Sequence, residues 1–191
     1  MTGSPETAVV IGASAGAVEA LSALLPSLPA QYPLPIIIVV HIPPDKKSAL
    51  VDLFRIRCAM QVREAEDKEP ISAATIYFAP PDYHLLIEMD KTLSLSSDEP
   101  VLFSRPSIDV LFESAADAFG AGLAAIVLSG ANQDGAKGLR AAVEAGGTAI
   151  IQDPDEAFAS AMPMAAIAEC PSAAILSLTE IAVYLQGLGR T

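Results

Sequence analysis

The stretch Val9-Val10-Ile11-Gly12-Ala13-Ser14-Ala15-Gly16-Ala17 decides how the rest of the chain is read. An apolar strand, Ala8 to Ile11, runs straight into a turn of small residues. Beyond the turn, Val18, Leu21, Leu24 and Leu25 recur on one face of a helix spanning about Ala15 to Leu25. This is how an alternating α/β chain opens. Gly12-x-Ser14-x-Gly16 also has the spacing of a nucleophile elbow, in which small neighbours let the backbone bend sharply beneath a serine. A helix N-terminus follows, and its free N–H groups can stabilise an oxyanion. A dinucleotide fingerprint would need Gly where Ser14 and Ala17 stand. A phosphate loop would need Gly-Lys-Ser/Thr in place of Ala17-Val18-Glu19. A turn chosen only for tight packing fits the same residues, so the turn alone leaves catalysis open.

Outward from this stretch, Pro26 and Pro29 end the first helix. Pro35 to Val40 is a continuous β-branched run, the mark of a parallel strand covered on both faces. It ends in His41-Ile42-Pro43-Pro44, and Asp45 is placed to cap a helix reaching about Ile56. The middle of the chain breaks the pattern. Gln61–Glu64 and Ala74–Phe78 read as short strands, and His84–Glu88 and Thr92–Ser96 read as a hairpin. This part is expected to be antiparallel and to form one edge of the sheet. Alternation then returns. Ser107 caps a helix carrying Ile108, Leu111, Phe112, Ala115 and Phe119 on one face. Strands Ala124–Leu128, Thr148–Ile151 and Ala173–Leu176 alternate with helices to about Glu144, over Met162–Ala168 and over Leu178–Leu185. The expected fold is therefore α/β and doubly wound. Its sheet is mostly parallel, with helices on both faces and an antiparallel hairpin at one edge.

Bulk composition narrows the function. With 52% hydrophobic residues in 191 and no Pro/Gly/Ser-rich linker, residues 1–191 are expected to form a single well-cored domain. A net charge of −12 argues against nucleic acid and anionic membrane surfaces as partners. No apolar run is long enough to span a bilayer, and residues 1–6 lack the features of a signal peptide, so the cytoplasm is the expected compartment. Cys58 and Cys170 stand alone and read as ordinary thiols. The two histidines have no further His or Cys at ligand spacing, so neither a metal nor an organic cofactor is expected.

Ser14, His41 and Asp134 each fall just beyond the C-terminal end of a predicted parallel strand. In open α/β sheets that edge carries the site, at the point where strand order reverses. If the three strands are neighbours, the side chains converge as an acyl-transfer triad with Ser14 as nucleophile, His41 as base and Asp134 as the orienting acid. Their order, Ser-His-Asp, differs from the Ser-Asp-His of α/β-hydrolases. Each residue also has a plainer reading. His41 can end a strand with a backbone bond, and Asp134 can cap the helix beginning at Gly135. His84 opens the hairpin and reads as a surface or supporting residue.

Several motifs occur together in one order: Gly12-Ala13-Ser14-Ala15-Gly16, His41-Ile42-Pro43-Pro44, Tyr77-Phe78-Ala79-Pro80-Pro81-Asp82 and Arg105-Pro106-Ser107-Ile108-Asp109-Val110-Leu111-Phe112. Ser129-Gly130-Ala131-Asn132-Gln133-Asp134-Gly135, Gln152-Asp153 and Met162-Pro163 follow. This series resembles the catalytic domain of the chemotaxis protein-glutamate methylesterase family, the CheB type, over nearly the whole chain. The resemblance implies hydrolysis of γ-glutamyl methyl esters on methylated chemoreceptors, giving glutamate and methanol, and in some members deamidation of receptor glutamines. By motif it carries Ser14, His41 and Asp134 over as nucleophile, base and acid. It also makes Arg105 a substrate-side candidate, with pairing to a structural carboxylate as the alternative.

The sequence departs from the family's pattern in four places. Ala15 stands where Thr is common, Ala131 where Met is common and Ser104 where many members have His. Ala15 and Ala131 are expected at the oxyanion and substrate side, with a more open pocket. The first strand starts too close to Met1 for the family's usual receiver domain, so no control by phosphorylation in cis is expected, and the sequence leaves open whether a separate regulatory protein supplies it. Lys46, Lys47, Arg55 and Arg57 cluster on or near the helix after His41, as a docking face for an acidic helix or as a solvated basic face. Two other functions suit the same residues: a non-catalytic binding module in a signalling complex, and an esterase or amidase for a small molecule. The sequence leaves the oligomeric state open.

Overall fold

The computed structural model describes residues 6–41 and 49–189. Nine strands and six α-helices are assigned among them. The strands are β1 (Ala8–Ala13), β2 (Ile36–Val40), β3 (Gln61–Glu64), β4 (Thr75–Phe78), β5 (His84–Ile87), β6 (Leu93–Ser96), β7 (Leu123–Val127), β8 (Thr148–Gln152) and β9 (Ala174–Leu176). The helices are α1 (Ala17–Leu24), α2 (Ala49–Arg57), α3 (Ile108–Phe119), α4 (Ala136–Glu144), α5 (Ala161–Glu169) and α6 (Leu178–Leu188). Seven strands form one sheet in the order β3-β4-β2-β1-β7-β8-β9, and all of its pairings are parallel.

The apolar runs explain the layers. Both β1 and β2 are buried at every position, and alternate residues feed opposite faces. Val10, Ile37 and Val39 join Leu111 and Phe112 of α3, Leu139 of α4 and Met162 of α5 in one core. Val9, Ile11, Ile36 and Ile38 join Leu21 of α1, Phe54 of α2 and Ile181 of α6 in the other. Truncating one such isoleucine to Ala removes about 2–5 kcal/mol.

The middle of the chain differs from its expected arrangement. β3 and β4 are not antiparallel: they pair in parallel and complete one side of the main sheet. The antiparallel hairpin exists, but β5 and β6 form a separate two-stranded sheet instead of an edge of the large one. The cause lies in the β3–β4 crossover, which contains no helix. Its backbone is tied instead to the hairpin, by Lys68 N–H to Leu93 O (2.8 Å), Ile71 N–H to Lys91 O (3.0 Å) and Leu93 N–H to Glu69 O (2.8 Å). Leu85, Ile87 and Leu93 then cover the sheet where a crossover helix would. Short strands without an intervening helix pattern looked antiparallel for this reason.

The chain runs from β1 to β2 on one side, and β7 lies on the other side of β1. The C-terminal ends of β1 and β7 therefore flank the point where strand order reverses, and a crevice is expected there.

Candidate active site

β1 is longer than its apolar run suggested, and α1 begins later. Gly16 has φ +84° and is the N-cap of α1, so Ser14 and Ala15 lie in the turn ahead of the helix. The left-handed residue of this turn is thus Gly16 and not the serine, which separates it from a true nucleophile elbow. A side chain at Gly16 would be strained by that φ, and its Cβ would meet Phe158 Cβ at 2.6 Å and Ser129 Oγ at 2.9 Å.

The ladder brings three strand ends together. Ala13 and Val40 are the last partners of β1 and β2, and His41 N–H donates to Ala13 O at 3.1 Å. Ser14 N–H donates across to Ser129 O at 2.9 Å, just past β7. Ser14 therefore sits between the segments that carry His41 and Asp134. Ser129 braces the turn: its hydroxyl donates to Ala15 O (2.7 Å) and accepts from Ala159 N–H (2.9 Å). Among the described residues, the Ser14 hydroxyl and the N–H groups of Ala15 and Gly16 have no hydrogen-bond partner. Ala15 is half-buried, and Ala131 is exposed.

His41 and Asp134 are in direct contact. His41 Nε2 lies 2.8 Å from Asp134 Oδ2, with Asp134 fully buried and the His41 side chain 12% exposed. A carboxylate only accepts, so Nε2 carries the proton, and Nδ1 is the basic nitrogen. Nδ1 has Asn132 Nδ2 at 3.4 Å. Asp134 does not cap its own helix. Its Oδ2 also accepts from Ile108 N–H (2.7 Å), and its Oδ1 accepts from Asp109 N–H and the Ser107 hydroxyl (both 2.9 Å), all at the start of α3. Burial pushes this carboxyl up. The His41 bond and the N–H donors of Asp109 and Ile108 outweigh burial and hold it below the ordinary range.

Asp109 reciprocates. Its Oδ1 accepts from Gly135 N–H (2.9 Å) and Gly138 N–H (2.7 Å), in the first turn of α4. Each of two helices is thus capped by a carboxylate belonging to the other. Asp109 and Asn132 lie within the segments 105–112 and 129–135, where spacing alone gives neither a role. His84 is buried, not at the surface. Its Nδ1 accepts from Ser107 N–H (3.1 Å) and its Nε2 lies 3.0 Å from Glu99 O, so it supports the residue that hydrogen-bonds Asp134.

Arg105 is engaged structurally. Its Nη2 pairs with Asp82 at 3.1 Å, and its Nη1 donates to the carbonyls of Ser97 and Asp98. The pairing reading accounts for these bonds. Within the basic cluster, Lys46 and Lys47 lie outside the described residues, as does the Asp45 cap. Arg55 pairs with Asp52 (3.0 Å) and Arg57 donates to Ser22 Oγ (2.8 Å), both from the last turn of α2.

A doubly wound α/β protein with an aspartate–histidine couple at its switch point, and beside it a serine whose hydroxyl has no partner among the described residues, is the class that fold and geometry define. The CheB methylesterase family model matches residues 9–185, and the chain belongs to that family. A Leptospira interrogans protein named for protein-glutamate methylesterase and protein-glutamine glutaminase activity is 47% identical over 92% of this chain and 91% of its own length. The Rhodospirillum rubrum protein-glutamate methylesterase/protein-glutamine glutaminase 1 is 35% identical over 93% of this chain, which spans 47% of that longer relative. The crystal structure of the Thermotoga maritima CheB methylesterase catalytic domain superposes with a TM-score of 0.91 at 30% identity. The match covers 98% of this chain and all of that one. Among the described residues, no helix is long and apolar enough to cross a membrane.

Proposed function

We propose that the protein is a cytoplasmic serine esterase that hydrolyses γ-glutamyl methyl esters on chemoreceptor-type signalling proteins, with Ser14, His41 and Asp134 carrying the reaction. Family membership and the relatives' names support the reaction class. The observation that carries the assignment to residues is the 2.8 Å contact between His41 Nε2 and the buried Asp134, beside a serine whose hydroxyl has no hydrogen-bond partner among the described residues.

With Nε2 committed to Asp134, Nδ1 is the nitrogen left to take the Ser14 proton. Ser14 Oγ attacks the ester carbonyl, and the oxyanion forms against N–H groups that include that of Ala15. Collapse expels methoxide, which leaves as methanol with the proton held by His41. Water, deprotonated by His41, then attacks the acyl-enzyme, releasing glutamate and restoring Ser14. The same steps on a glutamine side chain release ammonia. No metal or organic group takes part in these steps.

Methanol release from a methyl-esterified receptor fragment tests the proposal. The wild-type protein is expected to release methanol, and Ser14→Ala to abolish release while retaining the fold, because no core packing is lost. Unchanged release by a folded Ser14→Ala protein would place the nucleophile elsewhere. No release by the wild type, on ester and glutamine substrates alike, would favour a binding role.

A further inference from the structure

We propose that Asp109 is a positioning residue of the active site, whose carboxylate clasps the first turn of α4 and so fixes the loop that presents Asp134 to His41. The inference rests on the esterase reading of that site.

Asp109 holds Asp134 from two directions. Its own N–H donates to Asp134 Oδ1 at 2.9 Å. Its Oδ1 meanwhile accepts from Gly135 N–H, on the residue directly after Asp134, and from Gly138 N–H one turn on. α4 has no side-chain cap of its own, because its N-cap is Gly135. The two N–H groups bound by Asp109 are among those a helix leaves unsatisfied at its start.

Backbone contact makes the reach possible. A Cβ at Gly138 would lie 2.6 Å from Phe112 Cβ and 3.0 Å from Asp109 Cα, so α4 can rest on α3 only with glycine there.

Electrostatics sets this arrangement apart from an ordinary cap. Burial and the neighbouring Asp134 charge, with a smaller push from Glu113, raise the Asp109 carboxyl to about 6 against the Gly138 and Gly135 hydrogen bonds. An anion next to the Asp134 anion is unfavourable, yet a carboxylate accepts two N–H groups more strongly than a neutral group does. Asp109 also lines a cavity of about 220 Å³ with Gln133, Ala136, Lys137 and Glu169. The charged groups around it are thus Asp134 with its partner His41, Glu113 on α3, Lys137 on α4 and Glu169 on α5.

The experiment compares Asp109→Ala, Asp109→Asn and Gly138→Ala with Ser177→Ala, a control at the distant cap of α6. Two readouts are taken: kcat and KM on a methyl-esterified receptor fragment, and the downfield NMR signal of the His41 ring proton bonded to Asp134. Asp109→Ala and Gly138→Ala are expected to lower kcat about tenfold or more, with KM within about twofold, because misplacing a catalytic group by about 1 Å has costs of this size. Both should also shift or erase the ring proton. Asp109→Asn keeps an acceptor oxygen for both glycines and is expected to retain most of kcat and the signal. Ser177→Ala should change neither. If Asp109→Ala does not fold, Asp109→Ser replaces it, since a hydroxyl is too short to hold both N–H groups. A folded Ala or Ser variant with native kcat and an unmoved ring proton overturns the proposal, as does an Asn variant as impaired as Ala. Absence of any ester hydrolysis in the wild type would count against the esterase reading alone, because the NMR comparison tests the clasp without catalysis.

Discussion

The N-termini of α3 and α6 solve the same problem in different ways. Both begin after a serine, and both must satisfy free N–H groups. At α6 the serine and its reciprocal partner are neighbours in sequence, and only Leu178 N–H reaches further, to Glu156 Oε2 at 3.3 Å. Ser177 Oγ accepts from Glu180 N–H at 3.2 Å, and Glu180 Oε2 accepts from Ser177 N–H at 2.8 Å, an exposed capping box within four residues. At α3 the local bond is poor, with Ser107 Oγ 3.5 Å from Val110 N–H, and the work passes to Asp134 from another segment. A cap made inside its own turn stabilises one helix. A cap brought in from elsewhere also positions the residue that provides it, and here that residue touches His41.

Removing the imported cap should have the largest effect. Asp134→Ala leaves Ile108 N–H, Asp109 N–H and the Ser107 hydroxyl without their acceptor. It should destabilise the protein by about 3 kcal/mol and lower ester hydrolysis by about a thousandfold or more, read by urea unfolding and methanol release. Asp134→Asn sharpens the result. It keeps the shape of the cap, so hydrolysis should fall by a similar factor with a much smaller change in the unfolding midpoint. Near-native activity in either variant would separate the cap from the chemistry.

The reciprocal cap predicts a pH effect of intermediate size. The Asp109 carboxyl titrates at about 6 in the folded state against 3.8 unfolded. A raised value means that its favourable contribution is complete below 3.8 and is lost as pH rises through about 6. Asp109→Asn does not titrate. Its stability relative to wild type should therefore improve between pH 4 and pH 7, by no more than about 3 kcal/mol. Asp134 runs the other way. Its lowered carboxyl contributes above 3.8 and loses that contribution as pH falls through its folded value. A relative stability of the Asp109→Asn variant that stays flat across this range would mean that the Asp109 carboxyl ionises as readily in the folded protein as in the unfolded chain.

The two serines should give the smallest effects, and their difference is the direct test of the comparison. Ser107→Ala should cost about 1–2 kcal/mol and lower turnover, because its hydroxyl donates to Asp134. Ser177→Ala should cost about 1 kcal/mol and leave turnover unchanged. Equal effects on turnover would erase the distinction between the caps.

Much of the architecture was legible because it depends on short-range pattern. The β-branched run from Ile36 to Val40 reads as a doubly covered strand, and all five residues are buried in the centre of the sheet. The Ser107 cap falls where local capping predicts. The hairpin was legible as a hairpin, but its place was not. Nothing within His84–Ser96 states that it will cover the β3–β4 crossover and not extend the large sheet.

By itself, the sequence determined the alternation of elements, the parallel centre of the sheet and the placing of Ser14, His41 and Asp134 after three strands. Each follows from periodicity over a few neighbouring residues, where sterics and burial act locally. Tertiary structure alone decided which carboxylate serves which helix. Asp134 was equally suited to cap α4, and Asp109 to sit as an ordinary first-turn acid of α3. Packing α4 against α3 at Gly138 brings each carboxyl closer to the other helix's free N–H groups, so the two exchange roles. Hydrogen bonds require ångström-scale proximity, and for residues 25 apart only the assembled fold supplies it.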